Sequence, residues 1–400
     1  MVKDLKELGL DELRKARLIP LFSYGAFHLI DDGFTDSIYL LLPFIASELS
    51  LSFSQIGLLK GTASMSMSFF QIPLGLLGET IGELTVIAAG TIGMAGGFLV
   101  LSRVHTFPLI LLSIFFSKGT GAGQHSLCAS LLSRVFEFSG RRAAIGTYNF
   151  SGDVGKVLLP FGLTVMINLW GWRQALFILS LSAFLAVAVL WSLARQRTAS
   201  SSVSHPREKL RLKGRSWGIN NPAGFSALLT IGVIDSSTRT VLLTFLPFLL
   251  LQKGIPVTQV GFALTALFAG GATGKLVCGF LAERLGVISM VWGTEVLTCV
   301  SILSLVWSPT SVTWILLPLV GFMLNGTSSV LYATVAEIIS ATARSRGYGL
   351  YYAITLGAGA IAPLLYGLLT DSMGLTVTII TTALVVLMTL PLSRYLAQSN

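Results

Sequence analysis

Charged side chains are scarce in this chain. Asp, Glu, Lys and Arg make up 11% of its 400 residues, whereas a soluble domain carries about 25%. Hydrophobic residues account for 53%, and the mean hydropathy is +0.78. Because a polar surface cannot cover so much apolar area, the composition excludes a string of soluble domains and predicts that lipid surrounds most of the chain.

Cysteines and soluble-enzyme motifs are also few or missing. The three cysteines all lie in apolar segments and indicate neither a disulfide scaffold nor a zinc site. The sequence lacks a phosphate-binding loop, a Gly-x-Ser-x-Gly elbow and a His-Glu-x-x-His helix. We therefore expect no enzyme activity, no catalytic residues, no cofactor and no bound metal. The basic residues that give the chain its net charge of +9 lie between apolar stretches. This placement favours cytoplasmic loops over nucleic-acid binding.

Apolar stretches of membrane-spanning length recur along the chain. A span needs about 20 mostly apolar residues, and twelve stretches qualify. Their predicted limits are 18–46, 54–79, 84–102, 107–133, 143–170, 173–194, 223–251, 257–282, 286–307, 311–339, 345–371 and 374–394. Residues 1–17 are predicted to form a cytoplasmic lead-in, and the basic segment 195–222 a cytoplasmic linker.

The basic residues predict the orientation. With both termini in the cytoplasm, the inside segments carry 19 of the 27 Lys and Arg residues, the outside loops three and the spans five. An excess of Lys and Arg marks cytoplasmic loops. We therefore predict a multi-pass protein of a bacterial inner membrane with both termini inside.

The second half of the chain repeats the first. At a shift of 204 residues, Asp31 matches Asp235, Pro43 matches Pro247 and Gly82 matches Gly286. At a shift of 203, Tyr148 matches Tyr351 and Pro160 matches Pro363. So many matches at nearly one offset indicate two six-helix halves, 18–194 and 223–400. The predicted fold class is an all-α membrane protein with twelve transmembrane helices in two six-helix bundles, the layout of major facilitator transporters.

A cytoplasmic-loop pattern also resembles that superfamily. The family pattern is Gly, three residues, an acid, a basic residue, one residue and Gly. The second copy matches it at Gly279, Glu283 and Arg284, whereas the first keeps Gly75 and Glu79 without the basic residue. The resemblance implies that these five residues belong to a charge relay that steadies one gate, and that spans 1, 4, 7 and 10 line a central cavity.

A narrower resemblance points to the fosmidomycin-resistance branch of drug exporters. It rests on His28 with Asp31 and Asp32 in span 1, and on His125 after the glycine-rich turn of span 4. Asp31 stands where that branch has Asn, and the Pro-Glu that follows its span 4 histidine is absent. The branch resemblance implies export in exchange for protons.

Eleven charged residues lie inside the predicted spans. They are Asp31, Asp32, Asp36, Asp153, Asp235, Glu295, Lys60, Lys118, Lys156, Arg239 and Lys275. Left unpaired at about 3 kcal/mol each, they would cost about 30 kcal/mol, more than a domain's whole stability. They must therefore pair or face water. Glu295 lies in span 9, which the resemblance places against lipid, and the sequence does not explain it.

Helical spacing groups some of these charges. Asp153 and Lys156 are an i, i+3 pair, and Asp235 and Arg239 an i, i+4 pair. Each pair is equally consistent with a structural lock between helices and with a binding site, because paired charges are the least costly in lipid.

The three aspartates of span 1 favour a different role. Asp31 and Asp32 are adjacent and have no cation nearby in the sequence, and burial disfavours a charged carboxylate. One of them is then poised to hold a proton. We predict that Asp31, Asp32 and Asp36 couple transport to protons.

The buried cations predict the substrate class. Arg recognises carboxylate or phosphonate through its planar fork, and Lys acts as a point charge. We predict a monomeric secondary active transporter that moves a small anionic or zwitterionic solute by alternating access, as proton-coupled export. The predicted binding residues are His28, Lys118, His125, Tyr148, Asp153, Lys156, Asp235, Arg239, Asn325 and Tyr351.

Other functions remain open from sequence. Proton-coupled uptake of an organic anion fits the same charges, and the span 1 carboxylates also fit a divalent metal or a cationic drug as substrate. A membrane scaffold that has lost transport is favoured by the altered first gate copy. A membrane-embedded enzyme with a metal on His28, Asp31, Asp32 and His125 is a further alternative.

Overall fold

The protein is helical almost throughout. The structure, a computed structural model, describes residues 10–136, 140–198, 219, 221–340 and 344–396. A chain in lipid must satisfy its backbone hydrogen bonds within each segment, which helices do. Within these ranges no strand is present, and Ile219 and Ile339 form an isolated antiparallel bridge. The all-α fold class is confirmed.

Each predicted span coincides with a helix or a run of helical segments. In chain order the helices are α1 Leu10–Leu49, α2 Phe53–Ile81, α3 Glu83–Leu101, α4 Phe107–Gly121, α5 Gln124–Val135, α6 Arg141–Trp170, α7 Trp172–Thr198, α8 Pro222–Gln252, α9 Val257–Leu285, α10 Val287–Trp307, α11 Thr310–Ile338, α12 Arg344–Met373, α13 Leu375–Val385 and α14 Thr389–Ser393. Short 3-10 segments, Val386–Met388 and Arg394–Leu396, flank α14.

Two predicted spans are interrupted. Span 4 is two helices, α4 and α5, which meet at Ala122 and Gly123. Span 12 is a succession of α13, a 3-10 turn, α14 and a second 3-10 turn. Within the described ranges, nine helical stretches are long and apolar enough to cross a membrane. The other three predicted spans lie in α1, whose predicted span 18–46 carries three aspartates, in α2, and in the α4–α5 pair.

The internal repeat is visible in the backbone. Gly82 precedes α3 with φ +98°, and its repeat mate Gly286 precedes α10 with φ +79°. Gly171 and Gly374, which are 203 residues apart, also have positive φ and precede α7 and α13. Since only glycine adopts this conformation without strain, the repeated glycines set the same tight turn in both halves.

Two compact units make up the described chain. The first contains the described residues within Met1–Thr35, Ser66–Leu159 and Leu169–Arg215, and the second those within Asp36–Met65, Pro160–Asn168 and Ser216–Asn400. Residues 1–9 of the predicted lead-in and 199–218 of the predicted linker lie outside the described residues.

Candidate functional site

Polar side chains from α1, α5 and α6 meet around Asp32 in the first unit. Asp32 is buried, and its Oδ2 lies 3.1 Å from Lys156 Nζ and 3.4 Å from His28 Nε2. Its Oδ1 lies 3.5 Å from His125 Nε2. The structure therefore joins four of the residues that the sequence singled out, and we refer to them as the Asp32 cluster.

The cluster corrects one step of the sequence argument. Asp32 was expected to lack a nearby cation, but Lys156 reaches it from α6. The same ammonium is 3.7 Å from Asp153, its sequence neighbour. The i, i+3 pair therefore forms, but its shorter contact is to the other helix, a partner that spacing along one helix cannot reveal.

The His28 ring is held by Tyr148. Its Nδ1 lies 2.8 Å from the Tyr148 backbone carbonyl, and the two rings stack with centroids 4.2 Å apart. A carbonyl only accepts, so Nδ1 carries a hydrogen. Nε2 then faces the Asp32 carboxylate. If neither group carried a proton, a nitrogen lone pair and an oxygen lone pair would face and repel each other. A proton must therefore lie on His28 Nε2 or on Asp32.

Asp31 lies deeper than Asp32. Its carboxyl is fully buried, and neither oxygen has a hydrogen-bond partner among the described residues. Its Oδ2 is 3.8 Å from His125 Nε2. Lys118 is also buried and donates a hydrogen bond to the Thr35 hydroxyl, which in turn donates to the Asp31 backbone carbonyl at 2.7 Å.

Glycines on α6 allow this close approach. A Cβ on Gly152 would lie 2.5 Å from His28 Cε1 and 2.6 Å from Asp32 Oδ2. A Cβ on Gly155 would lie 2.1 Å from the Leu29 backbone carbonyl oxygen. The backbones of α1 and α6 are therefore in direct contact, and this contact brings Lys156 to the aspartate.

The exposures of the cluster are graded. The His125 side chain is 38% exposed and that of Lys156 is 24%, against 10% for Asp32 and 0% for Asp31. A solute can therefore reach the imidazole and the ammonium, whereas the two carboxylates lie behind them.

The same groups form a possible divalent-cation site. His28, Asp32 and His125 each offer one ligand atom, and these atoms lie within 4.8 Å of one another. A nitrogen and oxygen set of this kind suits zinc. However, the Lys156 ammonium already lies against the Asp32 oxygen, so a metal ion would have to displace it.

The second unit contains the other predicted charge pair. Arg239 donates a hydrogen bond to Asp235 Oδ2 at 2.9 Å, and Asp235 is buried. Tyr351 is buried against Gly232, and Asn325 donates to the Gly321 carbonyl at 3.1 Å. Asp36 also falls in this second unit, so it is not part of the Asp32 cluster.

Glu295 faces the interior of the second unit. It is 1% exposed, and its Oε1 has no hydrogen-bond partner among the described residues. The family resemblance placed span 9 against lipid, whereas the structure buries this carboxyl on α10.

The first gate copy has an ion pair that the motif did not indicate. Glu83, next to the motif glycine Gly82, pairs with Arg134 at the end of α5 and accepts a hydrogen bond from Ser130 at 2.9 Å. Glu79 is exposed. An acid beside the first motif copy therefore has a basic partner, and α5 supplies it.

The second gate copy lies at the end of α9. Glu283 and Arg284 are exposed there, and Gly279 has only the Ser329 hydroxyl within 4 Å of a built Cβ. Around Gly75 in the first copy, a built Cβ meets no atom within 4 Å among the described residues. These glycines are therefore not sites of close helix contact in the structure.

The fold and the buried charged clusters define a polytopic membrane protein of the transporter type, and sequence comparison agrees. The family model of the Major Facilitator Superfamily matches residues 25–234 and 228–398. The chain belongs to the Major Facilitator Superfamily. It is therefore a multi-pass integral membrane transporter and not an enzyme.

Curated relatives are distant but nearly full-length. The fosmidomycin resistance protein of Escherichia coli (strain K12) is 22% identical over 345 residues, 86% of this chain and 84% of that protein. The gentisate transporter of Corynebacterium glutamicum is 24% identical over 387 residues, 92% of this chain and 84% of that protein. The resemblance to the fosmidomycin-resistance branch is thereby confirmed at this level of identity.

A solved structure shares the fold. It is a bacterial homolog of the human lysosomal transporter Spinster, in an inward-facing and occupied conformation. The TM-score is 0.82 at 16% identity, covering 94% of this chain and 96% of that one. This likeness confirms the major facilitator fold.

Proposed function

We propose that the protein exports a small anionic or zwitterionic solute in exchange for protons. The observation that carries the proposal is the Asp32 cluster, in which Lys156 and His125 hold a buried carboxylate while remaining partly exposed themselves. A solute anion and the Asp32 carboxylate compete for the same two cations.

The competition supplies the coupling. When Asp32 is ionised, Lys156 and His125 are paired with it and bind a solute weakly. When Asp32 takes a proton, its attraction for the ammonium falls, and Lys156 becomes available to an anion. Asp31, whose carboxyl oxygens lack hydrogen-bond partners in the described chain, is the second proton carrier. A proton on Asp32 thus favours binding of an anion, which is the linkage of the uptake alternative. Export in exchange for protons requires a solute group that pairs with ionised Asp32 and is displaced by the proton, such as the cationic group of a zwitterion.

The remaining predicted residues complete the proposal. His28, Tyr148 and Asp153 position the Asp32 cluster, and Lys118 supports Asp31. In the second half, Asp235, Arg239, Asn325 and Tyr351 complete the solute site, and Asp36 is a further proton-coupling group. The gate is formed by Gly75, Glu79, Gly279, Glu283 and Arg284.

We further propose that the halves 18–194 and 223–400 alternate access around the solute. The protein works as a monomer in a bacterial inner membrane with both termini in the cytoplasm. The distribution of Lys and Arg between the predicted loops supports this orientation.

A thermal-shift screen of detergent-purified protein tests the solute class. The panel contains small carboxylates including gentisate, phosphonates including fosmidomycin, cationic drugs and divalent metals, each at pH 5.5 and 7.5. We expect stabilisation by one class of carboxylate or phosphonate, lost in Lys156→Met. Stabilisation that is greater at pH 7.5 indicates exchange with protons, and stabilisation that is greater at pH 5.5 indicates the uptake alternative. Stabilisation by cationic drugs alone, dependent on Asp32, would contradict the proposal.

Gradient-driven transport tests direction and coupling. In one experiment the transporter is inserted in proteoliposomes so that export runs outward, and the vesicles are loaded with the stabilising anion. They should release the anion when the outside is made more acidic than the inside. The Asp31→Asn, Asp32→Asn double variant should lose this gradient-driven flux and retain solute exchange. Uptake is the alternative direction, and accumulation of the solute inside proteoliposomes that are acidified on the outside would identify it.

A divalent metal is a second candidate solute, because three ligand atoms lie close together. If zinc is the solute, it should stabilise the wild-type protein and fail to stabilise His125→Ala. If Lys156 occupies the cation position as we propose, zinc should stabilise the wild type little, and Lys156→Met should increase that stabilisation.

A further inference from the structure

Four tyrosine rings of α11 and α12 are in contact in the second unit. The centroid of the Tyr332 ring lies 4.6 Å from that of Tyr352, 5.7 Å from that of Tyr348 and 5.9 Å from that of Tyr351. We call these four side chains the tyrosine cluster. Tyr351 brings the cluster against α8, because a Cβ built on Gly232 would lie 2.7 Å from the Tyr351 hydroxyl oxygen.

Exposed side chains of α12 lie on two opposite faces. Tyr352 is 40% exposed. The large aliphatic side chains that are exposed between it and the last turn of the helix are Ile354, Ile361, Leu365 and Leu368. At about 100° per residue, these four fall within about 60° of one another, and Tyr352 lies about 180° from Ile361. The aliphatic stripe suits lipid, so the Tyr352 ring on the opposite face is exposed to water.

The face of α11 that carries Tyr332 is polar. Asn325, Ser328 and Ser329 precede Tyr332 by seven, four and three residues, which places all four on one side of the helix, and all are partly buried. The Tyr332 hydroxyl is buried and has no hydrogen-bond partner among the described residues, whereas a buried tyrosine hydroxyl usually has one. The cluster thus combines an aromatic surface with an unused donor and acceptor.

A cation lies along the face of α8 that Tyr351 contacts. Arg239 follows Gly232 by seven residues, which is two helical turns or about 10 Å along the axis. The Arg239 side chain is 25% exposed and that of its partner Asp235 is 6% exposed, so a solute meets the guanidinium before the carboxylate. Aromatic faces also attract cations, but this guanidinium repels them. The charge therefore favours an anionic group on the ligand.

We propose that the tyrosine cluster binds an aromatic ring of the solute, and that a carboxylate on the same solute faces Arg239. A ring packed on tyrosine rings gains edge-to-face and offset-stacked contacts that a saturated ring lacks. The solute is then an aromatic carboxylate and not an aliphatic one. Transport of this solute rests on the proposed function, whereas its binding to the cluster does not.

Binding of matched small probes to detergent-purified protein tests the proposal. Benzoate and cyclohexanecarboxylate differ in the aromaticity of the ring, and isothermal titration calorimetry should show tighter binding of benzoate. Tyr352→Leu should weaken benzoate binding about 2- to 10-fold and leave cyclohexanecarboxylate binding unchanged. Tyr352→Phe keeps the ring and should retain benzoate binding. The matched control Tyr366→Leu, which replaces a partly buried tyrosine on α12 outside the cluster, should change neither affinity.

Tyr348→Leu keeps the test decisive if Tyr352→Leu fails to fold, and it should weaken benzoate binding in the same way. The proposal is overturned if benzoate does not bind, if the two carboxylates bind equally, if tetramethylammonium binds more tightly than benzoate, or if neither leucine variant has an effect. Lys156→Met separates this proposal from the proposed function. Benzoate binding that needs Tyr352 and not Lys156 would support the cluster and contradict the proposed function, and binding that needs Lys156 and not the tyrosines would do the reverse.

Discussion

Asp371 on α12 accepts a hydrogen bond from the backbone N–H of Ser54 in the first turn of α2, at 2.9 Å. Its other oxygen accepts from the N–H of Phe53 at 2.8 Å. The first N–H groups of a helix have no intrahelical partner, and a negative charge there is favoured by the helix dipole. A carboxylate from a distant helix thus caps α2 together with the local Ser52 hydroxyl, which accepts from the N–H of Gln55 at 3.3 Å.

We expect Asp371→Asn to loosen the start of α2. The amide keeps one acceptor oxygen and loses the charge, and losing a cap costs about 0.5–2 kcal/mol. Hydrogen–deuterium exchange of a peptide spanning 50–60 should therefore accelerate several-fold. Ser372→Ala is the control and should leave that peptide unchanged, because Ser372 is an exposed neighbour whose hydroxyl donates to the Leu369 carbonyl of its own helix.

The pairing of Asp32 with Lys156 predicts strong coupling between them. Removing one partner of a buried ion pair leaves the other uncompensated and costs about 3–5 kcal/mol. Asp32→Asn and Lys156→Met should each lower the midpoint of thermal unfolding, and the double variant should recover much of the loss. Additive effects in this double-mutant cycle would mean that the two side chains do not stabilise each other.

A methyl group at Gly152 would disturb the Asp32 cluster. Gly152→Ala would force the Cβ against His28 and Asp32, and overpacking of this kind costs about 1–3 kcal/mol. The matched control is Gly146→Ala on the same helix, where a Cβ meets no atom within 4 Å in the described chain. Alanine should stabilise that site by about 1 kcal/mol through helix propensity. Equal effects at the two glycines would contradict the close α1–α6 contact.

Two glutamates of the first gate copy have different surroundings. Glu83 is paired with Arg134 and Ser130, whereas Glu79 is exposed. We expect Glu83→Gln to increase trypsin cleavage after Arg134 in detergent, because the α5 end loses its anchor. Glu79→Gln should leave cleavage near the wild-type rate. Faster cleavage in Glu79→Gln than in Glu83→Gln would instead favour a gating role for Glu79, the residue at the motif position.

The spans and the repeat were predictable because each depends on local sequence. Hydropathy over about 20 residues locates a helix in lipid, and a positive-φ glycine such as Gly82 recurs in its repeat mate Gly286. The interruption between α4 and α5 was not predicted, since Ala122 and Gly123 do not by themselves require a break.

The candidate site was predicted only along single helices. The i, i+4 spacing of His28 and Asp32 placed them on one face, and the structure brings them to 3.4 Å. The contact of Lys156 with Asp32 joins different helices. Such contacts depend on which faces meet, and composition or periodicity does not contain that information.

The glycine contact between α1 and α6 has a mechanical consequence. At Gly155 no side chain separates the two backbones, and at Gly152 a side chain would have no room beside His28 and Asp32, so one helix cannot shift against the other by small changes of rotamer. Asp31 and Asp32 of α1 and Lys156 of α6 should therefore move together as one rigid body. We expect any change in the Asp32 cluster during transport to occur at His125, which lies on α5 beyond the break between α4 and α5.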